Sequence, residues 1–290
     1  MKFVVLAFCV LFLVGCSGRN VIEQENRYVQ LNIENNPAIK HYHLNVDGHT
    51  LHYAANGDHR KPALIIVHGT PGSWRQYSRY LLNETLLSHY YMIVIDRPGW
   101  GESVLVDDLN IASFELQAQI IAGLANTLRQ QSGGQPVVLM GHSLGASIVP
   151  RVAMDFPDLI DGLLLFAGTL DPDLSSPRWF NYMGRIPMVK YVIGDSLHLS
   201  NQEIFALKKN IAAMKGRWHE IKAATISVQG MQDGLVYPAN SYFIEKNFNA
   251  SNTVVVRLDD EGHLFPMTLR DEVVAWACQV LEMINAKKSL

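Results

Sequence analysis

Five short strings in this 290-residue chain carry residue types that could do chemistry. The first is GHSLG, residues 141–145, in which a serine stands between two glycines directly after the apolar run VVLM. A serine hydroxyl is a weak nucleophile at neutral pH, so it needs a base within hydrogen-bond reach and donors aimed at the oxygen that turns negative. G-x-S-x-G is a common string, and by itself it says little about Ser143. The other four are HGTPGSW (68–74), DRPGWGES (96–103), MQDGLVYP (231–238) and DDEGHLFP (259–266). Together they offer histidines, carboxylates and backbone N–H groups of the kind such a serine would use.

Each string needs an element to hold it. Six short runs rich in β-branched residues (ALIIVHG, YMIVID, PVVLMG, GLLLFAG, TISVQG, TVVVRLD) alternate with segments of helical period at roughly 74–88, 113–131, 144–155, 239–248 and 266–286. Runs this short and this apolar suit strands buried on both faces, and the alternation predicts a mostly parallel sheet with helices on both sides. Ahead of them, HYHLNVD and HTLHYAANG flank Asp47-Gly48 and read as a hairpin. All five strings then lie at carboxyl ends of strands, where ligands gather in sheets of this kind. One interval breaks the rhythm: more than fifty residues separate GLLLFAG from TISVQG. That stretch is too long for one crossover and too apolar for a loose loop, so it is read as an inserted helical lid at about 171–222.

From about His41 onward the ordered set resembles the α/β-hydrolase fold family, and the resemblance lies in the order of the strings more than in any one of them. It implies an α/β fold with a mostly parallel central sheet, helices on both faces and a lid. Glycines at 141 and 145 would relieve crowding in a tight strand-to-helix turn that lifts Ser143 into reach. His263 would act as base, and Asp233 would orient it and stabilise the imidazolium. The order Ser143, Asp233, His263 is the one this family uses. The oxyanion donors would be the N–H of Leu144, at the positive end of the following helix, and the N–H of Thr70, because Pro71 has none to give. Dehalogenases and epoxide hydrolases of the family share the HGxP loop and the lid but attack with aspartate. A serine therefore points to acyl transfer: esters first, then thioesters, amides or the carbon–carbon bonds that some lidded relatives cleave. A non-catalytic, ligand-binding member of the family is the competing reading.

Other assignments stay open beside these. Asp171, after the preceding strand, is an alternative acid, whereas Asp259 and Asp260 are expected to be solvated. His68 and His142 are expected to brace their loops by hydrogen bonds. His41 and His43 share one face of a strand and invite a metal reading, but no carboxylate or cysteine pattern in the sequence supports it, so surface or structural roles are expected and no metal or cofactor is called for. The GWG of 99–101 lacks the third glycine of a dinucleotide loop, and no Walker string exists. Trp179, Tyr182, Met183, Met188, Tyr191, Met214 and Trp218 in the lid suggest an apolar pocket for an ester or lipid-like substrate, or simply lid-to-core packing.

Composition bounds the partners. With 24 basic and 27 acidic residues, a net charge of −3 and 48% hydrophobic residues, the chain has the makings of one large core and no electrostatic case for nucleic acid. The N-terminus, MKFVVLAFCVLFLVGC, joins a lysine to an apolar run shorter than the ~20 residues of a membrane span, and reads as a secretory signal over 1–15. LVGC resembles the lipobox of bacterial lipoproteins. That implies cleavage before Cys16, lipidation of Cys16 and removal of Cys9, leaving Cys278 as the single thiol. Ser17, in place of a retention aspartate, implies the outer membrane, with the chain facing the periplasm. Residues 16–37 would then be a polar tether and 38–290 the folded body. The N-x-S/T strings at Asn83 and Asn249 are read as chance matches, and the oligomeric state is left open.

Overall fold

The computed structural model describes residues 16–106, 111–184 and 186–288; the signal-peptide reading of 1–15 falls outside them. Eight strands form one sheet: β1 (Lys40–Val46), β2 (His49–Asn56), β3 (Ala63–Val67), β4 (Tyr91–Ile95), β5 (Val137–His142), β6 (Gly162–Phe166), β7 (Ala224–Gly230) and β8 (Thr253–Leu258). Their order is β1-β2-β4-β3-β5-β6-β7-β8. The first two pairings are antiparallel and the rest parallel, with Ile65 beside Ile93 on one flank and beside Leu139 on the other. The β1–β2 hairpin turns on Asp47 (φ 51°) and Gly48 (φ 89°), the two positive-φ positions that an Asp-Gly turn supplies.

The central strands are buried on both faces because successive side chains point opposite ways into two apolar layers. Ile65, Val67, Ile93, Ile95, Leu139 and Leu163 join the cluster built on helices α3 (Phe114–Gln131) and α4 (Leu144–Asp155). Leu64, Ile66, Met92, Val94, Met140 and Leu164 join the cluster on the other face, closed by the C-terminal helix α9 (Arg270–Lys288). That helix buries Val273, Val274, Ala277, Val280, Leu281 and Ile284, an apolar stripe at helical spacing.

The structure differs from the sequence expectation in three ways, the first being helical patterns that divide. The helix expected over 74–88 is two pieces: a 3₁₀ stretch, Trp74–Leu82, then α2, Glu84–His89. Trp74, Tyr77 and Tyr80 recur every third residue and are all buried, a period that a three-residue turn aligns on one face. Asn83 then leaves helical geometry, and its side chain accepts from the Leu86 N–H at 2.9 Å, starting the next helix. Helix α7 (Asn240–Asn247) stands between β7 and β8 where 239–248 is expected, and the C-terminal pattern likewise divides into α8 (Phe265–Thr268) and α9.

The second difference is at the N-terminus. Where a loose tether is expected, Cys16–Asn32 is helical (α1). Val29 and Ile33 are buried among Trp74, Tyr77 and Tyr80, and the Arg79 guanidinium lies 3.7 Å from the Tyr28 ring centroid. Val21, Tyr28 and Val29 of the helix, with Ile33 just past its end, face the core while Leu31 stays exposed, a division that composition alone does not show.

The third is inside the lid, which occupies the interval between β6 and β7 as expected. It holds a 3₁₀ turn (Pro172–Leu174), α5 (Trp179–Met183), α6 (Pro187–Ala212) and a second 3₁₀ turn (Trp218–Glu220). Gly194 (φ 76°, ψ 166°) interrupts α6 with a kink that its lack of a Cβ permits. None of the helices in the described residues is long and apolar enough to cross a membrane.

Candidate active site

Ser143 sits between β5 and α4 with φ 54° and ψ −121°, a conformation that costs a non-glycine residue about 1–3 kcal/mol and persists only where the surroundings enforce it. The enforcement comes from close packing. A Cβ on Gly141 would stand 2.5 Å from the Gly145 carbonyl carbon, and one on Gly145 would stand 2.2 Å from the Val67 oxygen. The Ser143 N–H donates to the Phe166 carbonyl at 2.9 Å, which pins the turn to β6. Among the described residues the Ser143 hydroxyl forms no hydrogen bond and is partly exposed, so it is available to a ligand or a base.

Asp233 and His263 are brought together by two interlocked loops. Gly230, at the end of β7, lies so close to the 259–263 loop that a Cβ would be 2.4 Å from the Glu261 oxygen, and the Gln232 N–H donates to that same oxygen at 2.9 Å. His263 Nδ1–H donates to Asp233 Oδ2 at 2.8 Å, which leaves Nε2 with the free lone pair a base requires. The other carboxylate oxygen accepts from the N–H groups of Leu235 (2.8 Å) and Val236 (2.9 Å). Burial raises the Asp233 pKa, but the His263 bond and charge and these two N–H groups outweigh it and hold the carboxyl below the usual aspartate value. Gln229 adds a donor to Oδ2 at 3.2 Å. Sequence reasoning missed Gln229; a lone amide inside the apolar run TISVQG was its only signal. Asp171, the alternative acid, caps its own turn by accepting from the Asp173 N–H at 2.9 Å. Asp259 and Asp260 are exposed.

Behind the serine, His142 is fully enclosed and held at both nitrogens. Tyr77 O–H donates to Nδ1 at 2.6 Å, and Nε2–H donates to the His263 carbonyl at 2.8 Å. Burial first, then the neighbouring His263 charge, push its pKa down to about 3, so the ring stays neutral. The residue before the serine thus locates the backbone of His263, whose ring centroid is 4.7 Å from that of His142.

The HGTPG loop presses against the serine from β3: a Cβ on Gly69 would be 2.9 Å from Ser143 Cβ. His68 braces this loop, donating through Nδ1 to the Gly69 carbonyl (2.8 Å) and accepting at Nε2 from the Arg97 N–H (2.9 Å). Arg97 itself is wholly buried and donates to the Gly69 carbonyl at 3.0 Å, to Gln117 Oε1 at 2.8 Å and to both oxygens of Glu203 at 2.6 and 3.0 Å. Glu203 belongs to lid helix α6, so a buried ion pair ties lid to loop. Beside it, Thr70 Oγ1 is buried with no hydrogen-bond partner among the described residues. Leu144, the first residue of α4, carries the other expected donor.

The lid side chains named from sequence divide into two groups. Met214 and Trp218 are buried in the core, Trp218 stacking on Phe248 at 5.5 Å. Trp179, Tyr182 and Met183 are exposed, as are Leu235 and Tyr237 on the loop after Asp233. Arg178 bridges them, donating to Tyr237 Oη at 2.8 Å. The side chains of Met188 and Tyr191 lie outside those described.

Residues 64–276, well over half of the chain, match the alpha/beta hydrolase family, and the chain belongs to it. Among curated relatives, epoxide hydrolase 3 of Xenopus tropicalis is 30% identical over 118 residues, 41% of this chain and 30% of that protein. A 2-hydroxy-6-oxononadienedioate/2-hydroxy-6-oxononatrienedioate hydrolase of Burkholderia vietnamiensis is 30% identical over 121 residues, 41% of this chain and 40% of that protein. These matches thus span less than half the length of either relative. Among solved structures, the enol-lactonase of Burkholderia xenovorans superposes with a TM-score of 0.63 at 19% identity, covering 83% of this chain and all of that one, a likeness of fold.

Proposed function

We propose that this hydrolase of the alpha/beta family is a serine esterase that cleaves carboxylic esters bearing an apolar acyl or alcohol group through an acyl-enzyme. The observation that carries the reading is the strained Ser143 (φ 54°), held at the tip of a turn by glycines that cannot be larger. Strain of this kind at a serine whose hydroxyl has no hydrogen bond among the described residues suits a nucleophile. Ser143 Oγ attacks the ester carbonyl while His263 Nε2 takes its proton, a contact that is often long in the free enzyme and tightens with substrate. Asp233 holds the Nδ1–H tautomer and stabilises the imidazolium. The tetrahedral oxygen meets the N–H groups of Leu144 and Thr70. Collapse expels the alcohol, protonated by His263; water, deprotonated by the same imidazole, then releases the acid and restores the serine.

The exposed Trp179, Tyr182 and Met183 of the lid support an apolar substrate, and a lipid-like ester would suit a chain held on the envelope. Lipidation of Cys16, and placement at the outer membrane facing the periplasm, belong to the same proposal and rest on the LVGC string. No cofactor enters the scheme.

The test is a panel of p-nitrophenyl esters of rising chain length, thioesters and anilides, run beside Ser143→Ala, together with labelling by a fluorophosphonate probe. The expected result is ester turnover that rises with chain length, and labelling that the substitution abolishes. Turnover of anilides, thioesters or carbon–carbon substrates in preference to esters would move the enzyme to that reaction class. Folded protein that takes no label would overturn the hydrolase mechanism and leave a ligand-binding role.

A further inference from the structure

The hairpin places His43 directly opposite His52, and the turn after β4 brings Glu102 over the pair. One ligand atom from each of the three lies within 4.8 Å of the other two. His43 Nε2 is 3.4 Å and His52 Nε2 is 4.0 Å from Glu102 Oε2. Nitrogen and oxygen ligands that share a tetrahedral zinc ion at about 2.0–2.1 Å stand about 3.4 Å apart; the His43–Glu102 pair already has that spacing, and the remaining pairs, all within 4.8 Å, need to close by about 1.4 Å at most. His41, two residues before His43 on the same face, brings Nδ1 to 3.0 Å from His52 Nε2; it stands outside the mutually close trio, so as a fourth donor it has to swing toward the ion.

The innermost histidine is held as a ligand requires. His52 is fully buried, and its Nδ1–H donates to Asp96 Oδ2 at 2.8 Å, which turns the Nε2 lone pair toward His41 and Glu102. Asp96 is itself immobilised: it accepts from the N–H groups of Trp74 (2.9 Å) and Glu102 (3.0 Å), and a Cβ on Gly101 would collide with its carboxyl carbon at 2.2 Å. The Ser103 hydroxyl completes the frame, donating to the Asp96 carbonyl and accepting the His52 N–H, both at 2.8 Å. His43 and Glu102 are half exposed, at 50% and 53%, which leaves an entry from solvent.

We propose that His43, His52 and Glu102, with His41 as fourth donor, bind one divalent cation of the zinc type. Imidazoles with a single carboxylate select zinc and its neighbours over magnesium or calcium, which prefer all-oxygen sets. In the metal-free arrangement His41 Nδ1–H donates to His52 Nε2; on binding, His41 carries that proton on Nε2 instead, and no change of oxidation state is involved. The role is structural. β1 is the outermost strand, paired on one side only, and the ion staples it to the 96–103 loop, whose Asp96 also holds the start of the 3₁₀ stretch after the HGTPG loop. None of the four ligands belongs to the proposed catalytic set, so the site stands or falls separately from the esterase reading.

The experiment uses the full chain without a histidine tag, stripped by chelator, titrated with zinc by calorimetry and with cobalt(II) by visible absorption. One equivalent of zinc per chain, the intense visible bands of four-coordinate cobalt and a melting temperature raised by zinc are expected. Glu102→Gln and His43→Ala should each weaken binding by at least about tenfold. Because both side chains are half exposed, the metal-free melting temperature should stay within about 2 °C of the wild type. Absence of stoichiometric binding at micromolar zinc, or binding that both variants retain, would overturn the site.

Discussion

Asp233 shows how much of one residue's role depends on which of its oxygens does what. One oxygen is committed to the Leu235 and Val236 N–H groups and the other to His263. Asp233→Asn can keep the first pair with its amide oxygen, but its NH₂ would then face His263 Nδ1–H, donor against donor. The imidazole must give up that tautomer, and its Nε2 lone pair with it. We expect kcat to fall by about 10⁴-fold, with far-ultraviolet circular dichroism unchanged; loss of less than tenfold would remove Asp233 from the mechanism. Gly145 is limited by space instead. Gly145→Ala puts a methyl 2.2 Å from the Val67 carbonyl oxygen, backbone that cannot step aside, so urea denaturation should show a loss of about 1–3 kcal/mol or more. Ser143, Asp233 and His263 could be singled out as candidates from sequence because each lies in a short string at a strand end. Tyr77 and Glu203 could not, since each acts through a partner distant in the chain, His142 and Arg97; nor could Gln229, only four residues from Asp233, because a lone polar residue in an apolar run leaves no spacing to read.

At the scale of elements, the central question is what fixes the lid to the sheet. The Arg97–Glu203 pair is at the centre of that contact, with 0% and 1% of the side chains exposed, and Trp100 and Gln117 both donate to Glu203 at 3.3 Å. Removing one partner strands the other's charge in the interior, whereas replacing both by apolar groups does not. Glu203→Ala is therefore expected to cost about 3–5 kcal/mol in chemical denaturation. The double variant Arg97→Met with Glu203→Leu should recover at least half of that. Recovery of stability need not restore catalysis, because the Gly69 carbonyl also loses its Arg97 donor and the HGTPG loop loses a brace. A double variant as stable as the wild type but slower, with KM little changed, separates the positioning of the loop from the folding of the lid. A double variant no better than Glu203→Ala would show that the pair is not the main tie. The lid's presence was legible as an interval too long and too apolar for a loop; its attachment was not, because an arginine after one strand and a glutamate more than a hundred residues later give no periodic signal.

For the whole molecule, the strands, the hairpin and most helices follow from short apolar runs, an Asp-Gly turn and patterns of period 3.6, which report local burial; the strand order, with β3 between β4 and β5, does not, because it depends on pairing between distant segments. The docking of α1 does not follow from them: Val29 and Ile33 find their partners on the 3₁₀ stretch that starts at Trp74, and a polar segment with few apolar residues looks the same in sequence whether or not such a surface exists. Global stability, in turn, depends on groups buried beside Ser143 and His263. His142 has its pKa lowered to about 3 in the folded state, against an ordinary histidine value of 6.5 in the unfolded chain. Above about pH 6.5 neither state binds the proton, and the histidine is neutral to the balance. Below it the unfolded chain takes up a proton that the folded one refuses, so stability is lost as the pH falls from about 6.5 toward about 3. The loss from this ring is about 1.4 kcal/mol per pH unit across the middle of that window. Asp233, held below its usual value, acts in the same direction at the acid end. His142→Gln should lower stability at pH 7, because the Tyr77 bond and the bond to the His263 carbonyl are disturbed, yet its unfolding free energy should decline less steeply between pH 6.5 and 4.5. Urea denaturation of both proteins at half-unit steps measures the two slopes. Parallel slopes would mean that the enclosed imidazole takes up its proton in the folded protein as readily as in the unfolded chain.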